Sequence, residues 1–207
     1  AGTGIYFKDT ASTQTQSGNI VRFNRISTVE HGFRWSEVTG GSTEGRNDVY
    51  QNVITGAVIG TYWIGAVGDY IYNNTFYNGT SGLGVSTGPT GVRQWNNIIS
   101  TVSVGIAVEA ATMPADTSTD MEHNVYHAAT NVYNDYSGNR TLANFQAAYP
   151  DHESASPAAG TSDPVFADVS GGDFRLCTGV GTPVAGCAGA SPYLSQGVDS
   201  LDLDGDA

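Results

Sequence analysis

NTFYNGTSGLGV, residues 74–85, sets the architecture, because four other stretches repeat its frame: NRISTVEHGFRW at 24–35, NVITGAVIGTYW at 52–63, NIISTVSVGIAV at 97–108 and NVYHAATNVYND at 124–135. Each opens on an asparagine (Asn24, Asn52, Asn74, Asn97, Asn124), and these asparagines return every 22 to 28 residues. Two residues after each comes an apolar side chain: Ile26, Ile54, Phe76, Ile99 or Tyr126. Three before it stands Val21, Val49, Ile71 or Met121, with Gln94 the exception. Eight after it comes Gly32, Gly60, Gly82 or Gly105, replaced by Val132 in the last copy. A fixed period of this length marks a repeat fold in which each unit buries its apolar side only against the next.

Inside the unit the alternation has period two. Positions nine and eleven after the asparagine pair as Phe33/Trp35, Thr61/Trp63, Leu83/Val85, Ile106/Val108 and Tyr133/Asp135, which reads as strand and not helix. Two or three short strands per unit, with strands of successive units about 4.8 Å apart, predict an all-β parallel β-helix of about five to six coils. Asparagine fits a tight bend through its tolerance of left-handed backbone angles, and stacked amides can bond from coil to coil. Coils are expected over 1–137 and a capping segment over 138–207. Residues 141–149 read there as a short helix capped by Thr141, and 163–166 and 172–176 as extended pieces closing the far end.

Charge and composition narrow the function. Eight Lys or Arg against twenty Asp or Glu give a net charge of −12, which argues against nucleic acid as a partner because phosphate binding needs a basic surface. The longest apolar runs are too short for a membrane span. Cys177 and Cys187, ten apart in a glycine-rich stretch, suit a disulfide and an oxidising compartment, so a secreted or cell-surface location is expected. The stretch GIYF at residues 4–7 repeats the glycine-plus-strand part of the frame with no asparagine turn before it. Further coils, another domain or a partner subunit are therefore expected over the N-terminal end.

The run DPVFADVSGGDFRLCTG at 163–179, followed by ASPYL at 190–194 and LDLDGDA at 201–207, resembles the closing segment of right-handed parallel β-helix proteins of the pectate-lyase-like superfamily, and the coils before it resemble that superfamily's repeats. The resemblance implies a right-handed coil. It leaves activity open, since the superfamily holds lyases, hydrolases, epimerases, tailspikes and adhesins.

A site must come from outward-facing side chains. Ten residues after each asparagine stand Arg34, Tyr62, Gly84 and Ala107, with Tyr6 in the same column ahead of them; twelve after stand Ser36, Ile64, Ser86 and Glu109, with Lys8 ahead. Tyr6 and Tyr62 flanking Arg34 offer flat apolar rings and a planar cation to a polysaccharide carrying acidic groups. Glu37 and Glu109 are further candidate contacts. Pairing of Arg34 with Glu30 or Glu37 is the structural alternative.

Catalysis on this face points to β-elimination at a uronate, with Lys8 as base, Arg34 neutralising the carboxylate or acting as acid, and His31, placed in the turn before the Arg34 strand, as alternate base. Some β-helix lyases use a Lys/Arg pair in this way. Hydrolysis would need two carboxylates at a fixed separation, and Glu30, Glu37 and Glu109 do not pair well. A non-catalytic carbohydrate-binding, adhesin or tailspike-like role is the other reading. No cofactor is expected. Asp199, Asp202, Asp204 and Asp206 alternate like calcium ligands, without the glutamate that closes such a loop. Asn73, Asn78 and Asn139 begin glycosylation sequons.

Overall fold

A computed structural model describes residues 2–8, 18–36, 46–63, 68–85, 91–108, 119–135, 138–154, 156 and 163–177. The chain is mostly β with one short helix. Its strands, in order, are β1 (Thr3–Lys8), β2 (Ile20–Arg22), β3 (Arg25–Ser27), β4 (His31–Ser36), β5 (Asp48–Tyr50), β6 (Val53–Thr55), β7 (Ile59–Tyr62), β8 (Tyr70–Tyr72), β9 (Thr75–Tyr77), β10 (Ser81–Val85), β11 (Val92–Trp95), β12 (Ile98–Ser100), β13 (Val104–Val108), β14 (Thr119–Glu122), β15 (Val125–His127) and β16 (Asn131–Asp135). β17 (Gly138–Arg140), helix α1 (Leu142–Ala148), β18 (Phe166–Asp168) and β19 (Asp173–Leu176) follow.

Three sheets wrap one core. The first runs β1-β4-β7-β10-β13-β16-β17, the second β14-β11-β8-β5-β2 and the third β15-β12-β9-β6-β3. All of these pairings are parallel except that of β17 with β16. This is a parallel β-solenoid. Three successive windings, β5–β7, β8–β10 and β11–β13, have a parallel neighbour on both sides in every sheet. The enclosed solenoid is thus about three turns and not the five to six coils expected. Counting asparagines also counts the end windings β2–β4 and β14–β16, whose sheets are open or capped on one side.

The asparagines form a directional ladder along the turn between the second and third sheets. The Nδ2 of Asn24 donates to Oδ1 of Asn52 at 2.9 Å, Asn52 to Asn74 at 2.9 Å, Asn74 to Asn97 at 3.1 Å and Asn97 to Asn124 at 3.0 Å. Each Oδ1 also accepts the backbone N–H of the preceding asparagine, at 2.9–3.1 Å. The last amide, Asn124 Nδ2, donates to Glu153 Oε1 at 2.7 Å. The left-handed backbone angle expected at the asparagine falls one residue earlier, at Phe23, Gln51, Asn73, Asn96 and His123, with φ between 53° and 60°. Asparagine is there for its amide and not for its backbone tolerance.

Glycine is fixed by close approach. A Cβ on Gly82 would lie 2.5 Å from Ile99 Cγ2 and 2.9 Å from the Gly105 carbonyl oxygen, and one on Gly32 2.7 Å from the Gly60 carbonyl oxygen and 2.8 Å from Ile54 Cγ2. The glycine of one winding therefore seats the apolar side chain and the glycine carbonyl of the next. Gly82→Ala is expected to cost about 2 kcal/mol through overpacking, read as a lower urea midpoint with unchanged slope.

The interior holds a ring stack. Phe7 lies on Trp35 at 4.7 Å and Trp35 on Trp63 at 4.0 Å between centroids. Two polar departures from the apolar frame meet inside: Thr61 Oγ1 donates to Gln94 Oε1 at 3.3 Å and accepts from Gly84 N at 2.9 Å.

Helix α1 forms where expected, with the Thr141 side chain accepting from Asn144 N at 3.3 Å. Phe145 packs 4.8 Å from the Tyr133 ring, which covers the far end. The β18–β19 hairpin does not close that end as expected. Its Phe166 and Leu176 pack on Ile98 and Val125, and the Gly172 carbonyl accepts from Arg25, so it lies along the outer face of the third sheet. That face is apolar at Ile98 and Val125, which is why it takes the cover. Cys177 is buried, and Cys187, with it the expected disulfide, lies outside the described residues.

Candidate functional site

The first sheet brings Tyr6, Arg34 and Tyr62 into one column. Tyr6 is in register with Arg34 on the neighbouring strand, and Arg34 with Tyr62 on the next. Alternation puts Phe33 and Trp35 into the core at 0% exposure, so the residue between them faces out. The Arg34 Cζ sits 5.3 Å from the Tyr6 ring centroid and 5.6 Å from that of Tyr62. A guanidinium between two rings is held by cation–π attraction on both sides, about 0.5–1 kcal/mol for each ring.

Its hydrogen-bonding capacity is unspent. Arg34 Nε is buried and has no hydrogen-bond partner among the described residues, and no ion pair joins Arg34 to Glu30. The structural alternative of an Arg34–Glu30 pair is thus not formed, while Glu37 lies outside the described residues. A planar fork held in place without a carboxylate suits an incoming bidentate acid.

Lys8 is exposed, in register with Ser36, two residues further along the same strand edge than Tyr6. His31 is not in a turn. It is the first residue of β4, 8% exposed, with its ring 4.9 Å from that of Tyr62. Pairing with Thr3 and Ile59 extends the strand back to include it. Its ring packs against that of Tyr62, beside the Arg34 column.

Beyond Tyr62 the column continues as Gly84, Ala107 and Asn134, small or short side chains that leave a bare strip along the first sheet. A Cβ at Gly84 would lie 2.1 Å from the Thr61 carbonyl oxygen, so close packing as well as an open surface requires glycine there. Glu109 lies outside the described residues, as do Asp199, Asp202, Asp204 and Asp206. Among the described residues no group of three or more His, Cys, Asp or Glu is placed to hold a metal ion.

The positive charges of the first quarter do not gather on one face. Arg22 donates to the Tyr50 hydroxyl at 3.2 Å and Arg46 pairs with Asp48 at 2.6 Å, both on the second sheet, while Arg25 lies under the hairpin. Only Lys8 and Arg34 share the outer face of the first sheet. The sequence reading missed the aromatic residues of the second sheet, Tyr50, Tyr70, Tyr72 and Trp95. They stand two and four residues before the ladder asparagines, on either side of the inward position, and that alternation was the available signal. It also missed Glu153, fully buried at the end of the ladder.

No family model, no curated protein and no solved structure matches this chain.

Proposed function

We propose that the outer face of the first sheet binds an acidic polysaccharide outside the cell, with Arg34 as the anchor for one carboxylate or sulfate. The observation that carries this reading is the Arg34 guanidinium between the Tyr6 and Tyr62 rings with its Nε lacking an acceptor. The bare strip over Gly84 and Ala107 gives a long chain room to continue along the solenoid axis. This reading takes the coil as right-handed and akin to the pectate-lyase-like superfamily, on the strength of the closing segment at 163–179.

Lys8 beside Arg34 favours a second reading, β-elimination. A base would remove the proton next to the uronate carboxylate, the electron pair would form the ring double bond, and the leaving oxygen would take up a proton. Arg34 would stabilise the charge that builds on the carboxylate, and Lys8 would be the base, with His31 the alternate.

The test is retention on immobilised polygalacturonate, alginate and hyaluronan. Arg34→Ala is expected to weaken binding about 10- to 100-fold, as loss of a charge-assisted bidentate contact does, and Arg34→Lys is expected to recover little of it. Wild-type protein that binds none of the three would overturn the reading. Appearance of unsaturated-uronate absorbance, abolished by Lys8→Ala with binding kept, would establish elimination over binding alone.

A further inference from the structure

The outer face of the second sheet carries two columns. In one, Arg22, Tyr50, Tyr72, Trp95 and Glu122 are in register; in the other, Asp48, Tyr70, Arg93 and Asp120 are. The rings are held upright. Tyr50 and Tyr72 stack at 4.9 Å with planes 8° apart, and Tyr70 has Arg46 at 3.9 Å and Arg93 at 5.0 Å from its centroid. Arg93 also lies 4.7 Å from the Trp95 ring. Rings that cover one another, or are covered by guanidinium groups, present edges and hydroxyls to solvent and few bare faces.

Two donors on this face lack an acceptor. Trp95 Nε1 is buried with no hydrogen-bond partner among the described residues. Arg93 is 42% exposed, and its ion-pair contact to Asp120, at 3.9 Å, is beyond hydrogen-bond reach. A buried donor without an acceptor is costly, so a turn of the Trp95 ring that brings its N–H to a ligand oxygen is rewarded on binding. Charge on the face is balanced, with Arg22, Arg46 and Arg93 against Asp48, Asp120 and Glu122.

We propose that this face is a second, independent binding surface for a neutral polysaccharide lying along the solenoid axis. Hydroxyl and ring oxygens supply the acceptors that Trp95 and Arg93 lack, and successive sugars meet the same kind of polar edge at each winding, about every 4.8 Å. The balanced charge, on a chain of net charge −12, gives a polyanion no advantage here. A protein partner would seek a cluster of bare apolar anchors, whereas among the described residues of this face Ile20, in register with Asp48 at the head of the second column, stands as a single exposed apolar side chain. The first sheet differs in presenting Arg34 without a carboxylate partner among the described residues, so the two faces select chains of different charge.

Native gels containing hydroxyethyl cellulose, xyloglucan or galactomannan test this directly. Wild-type protein is expected to be retarded in at least one of them, with little change on adding salt. Trp95→Ala and Tyr70→Ala should each weaken that retardation about tenfold. Trp95→Phe, which keeps a ring and removes the N–H, should fall between, and Arg34→Ala should leave it unchanged while weakening retention on the acidic chains about 10- to 100-fold. Arg93→Gln provides a half-exposed alternative if Trp95→Ala lowers the urea midpoint. The proposal is overturned by free migration in all three gels, or by equal losses in Arg34→Ala and Trp95→Ala.

Discussion

Asn74→Ala is expected to remove about 4 kcal/mol of folding stability, a large share of the roughly 5–15 kcal/mol that a folded domain possesses. Asn74 is 1% exposed. Its Oδ1 accepts both the backbone N–H and the Nδ2 of Asn52, at 3.1 and 2.9 Å, and its Nδ2 donates to the Val49 and Tyr72 carbonyls and to Asn97 Oδ1, at 2.9, 3.0 and 3.1 Å. Truncation leaves the Asn52 N–H and two buried carbonyls without these partners, and each orphaned group costs about 1–3 kcal/mol. Asn24→Ala supplies the contrast. Asn24 sits at the first rung, half exposed, and its Nδ2 donates to the Arg22 carbonyl and to Asn52 Oδ1. Its loss should cost about 1 kcal/mol, because water can replace the lost bonds. Urea titrations of the two variants, analysed with a common slope, decide the matter. Equal midpoints would mean that the ladder is an ornament of the turn and not its support.

The ladder was legible in the sequence because one residue type, at one period, must do one chemical job in every winding. The glycine and apolar positions were legible for the same reason, and the structure shows them in direct contact: Gly82 against Ile99, Gly105 against Tyr126. Val132 can replace glycine in the last copy because the next strand, β17, runs antiparallel to it and brings no equivalent winding against it. The left-handed residues before the ladder were not legible. Asn73, Asn96 and His123 suit that conformation by residue type, but Phe23 and Gln51 do not, so no single signal marks the column, and at those two positions the ladder holds the backbone where intrinsic preference would not.

The first-sheet stripe of the site was legible, since strict alternation beside Phe33 and Trp35 forces Arg34 outward in line with Tyr6 and Tyr62. His31 was misplaced because strand ends are set by pairing with Thr3 and Ile59, which local sequence does not report. The second-sheet face was missed because its columns mix Arg, Tyr, Trp, Asp and Glu, and no single residue type runs through either column. Where a column's job is recognition and not support, its composition varies from winding to winding.

Glu153 gives the protein a pH dependence that Glu153→Gln should remove. The carboxyl is fully buried at the end of the asparagine ladder, with Asn124 Nδ2 donating to Oε1 at 2.7 Å, Tyr126 Oη also donating to Oε1, and Ser156 Oγ donating to Oε2. Burial pushes its pKa up from 4.5 to about 7, against the opposing pull of those hydrogen bonds. The same burial, with the carboxylate beside it, holds the Tyr126 phenol protonated well above its ordinary range. A carboxyl raised in the folded state binds more protons there than in the unfolded chain between the two pKa values. Its contribution is therefore fully present below about pH 4.5 and is lost as the pH rises through about 7, a change of about 3 kcal/mol at 1.4 kcal/mol per unit. The difference in urea midpoint between wild type and Glu153→Gln, followed from pH 4.5 to 8, isolates this group from the other titrating side chains. Glutamine keeps an acceptor for Asn124 and Tyr126 and an amide for Ser156, so the variant should be the more stable at pH 8 and its advantage should vanish toward pH 5. A constant difference across that range would show that the carboxyl does not titrate there. The four donors gathered on it, counting the Asn124 backbone N–H at 3.4 Å, would then be holding it ionised against the cost of burial.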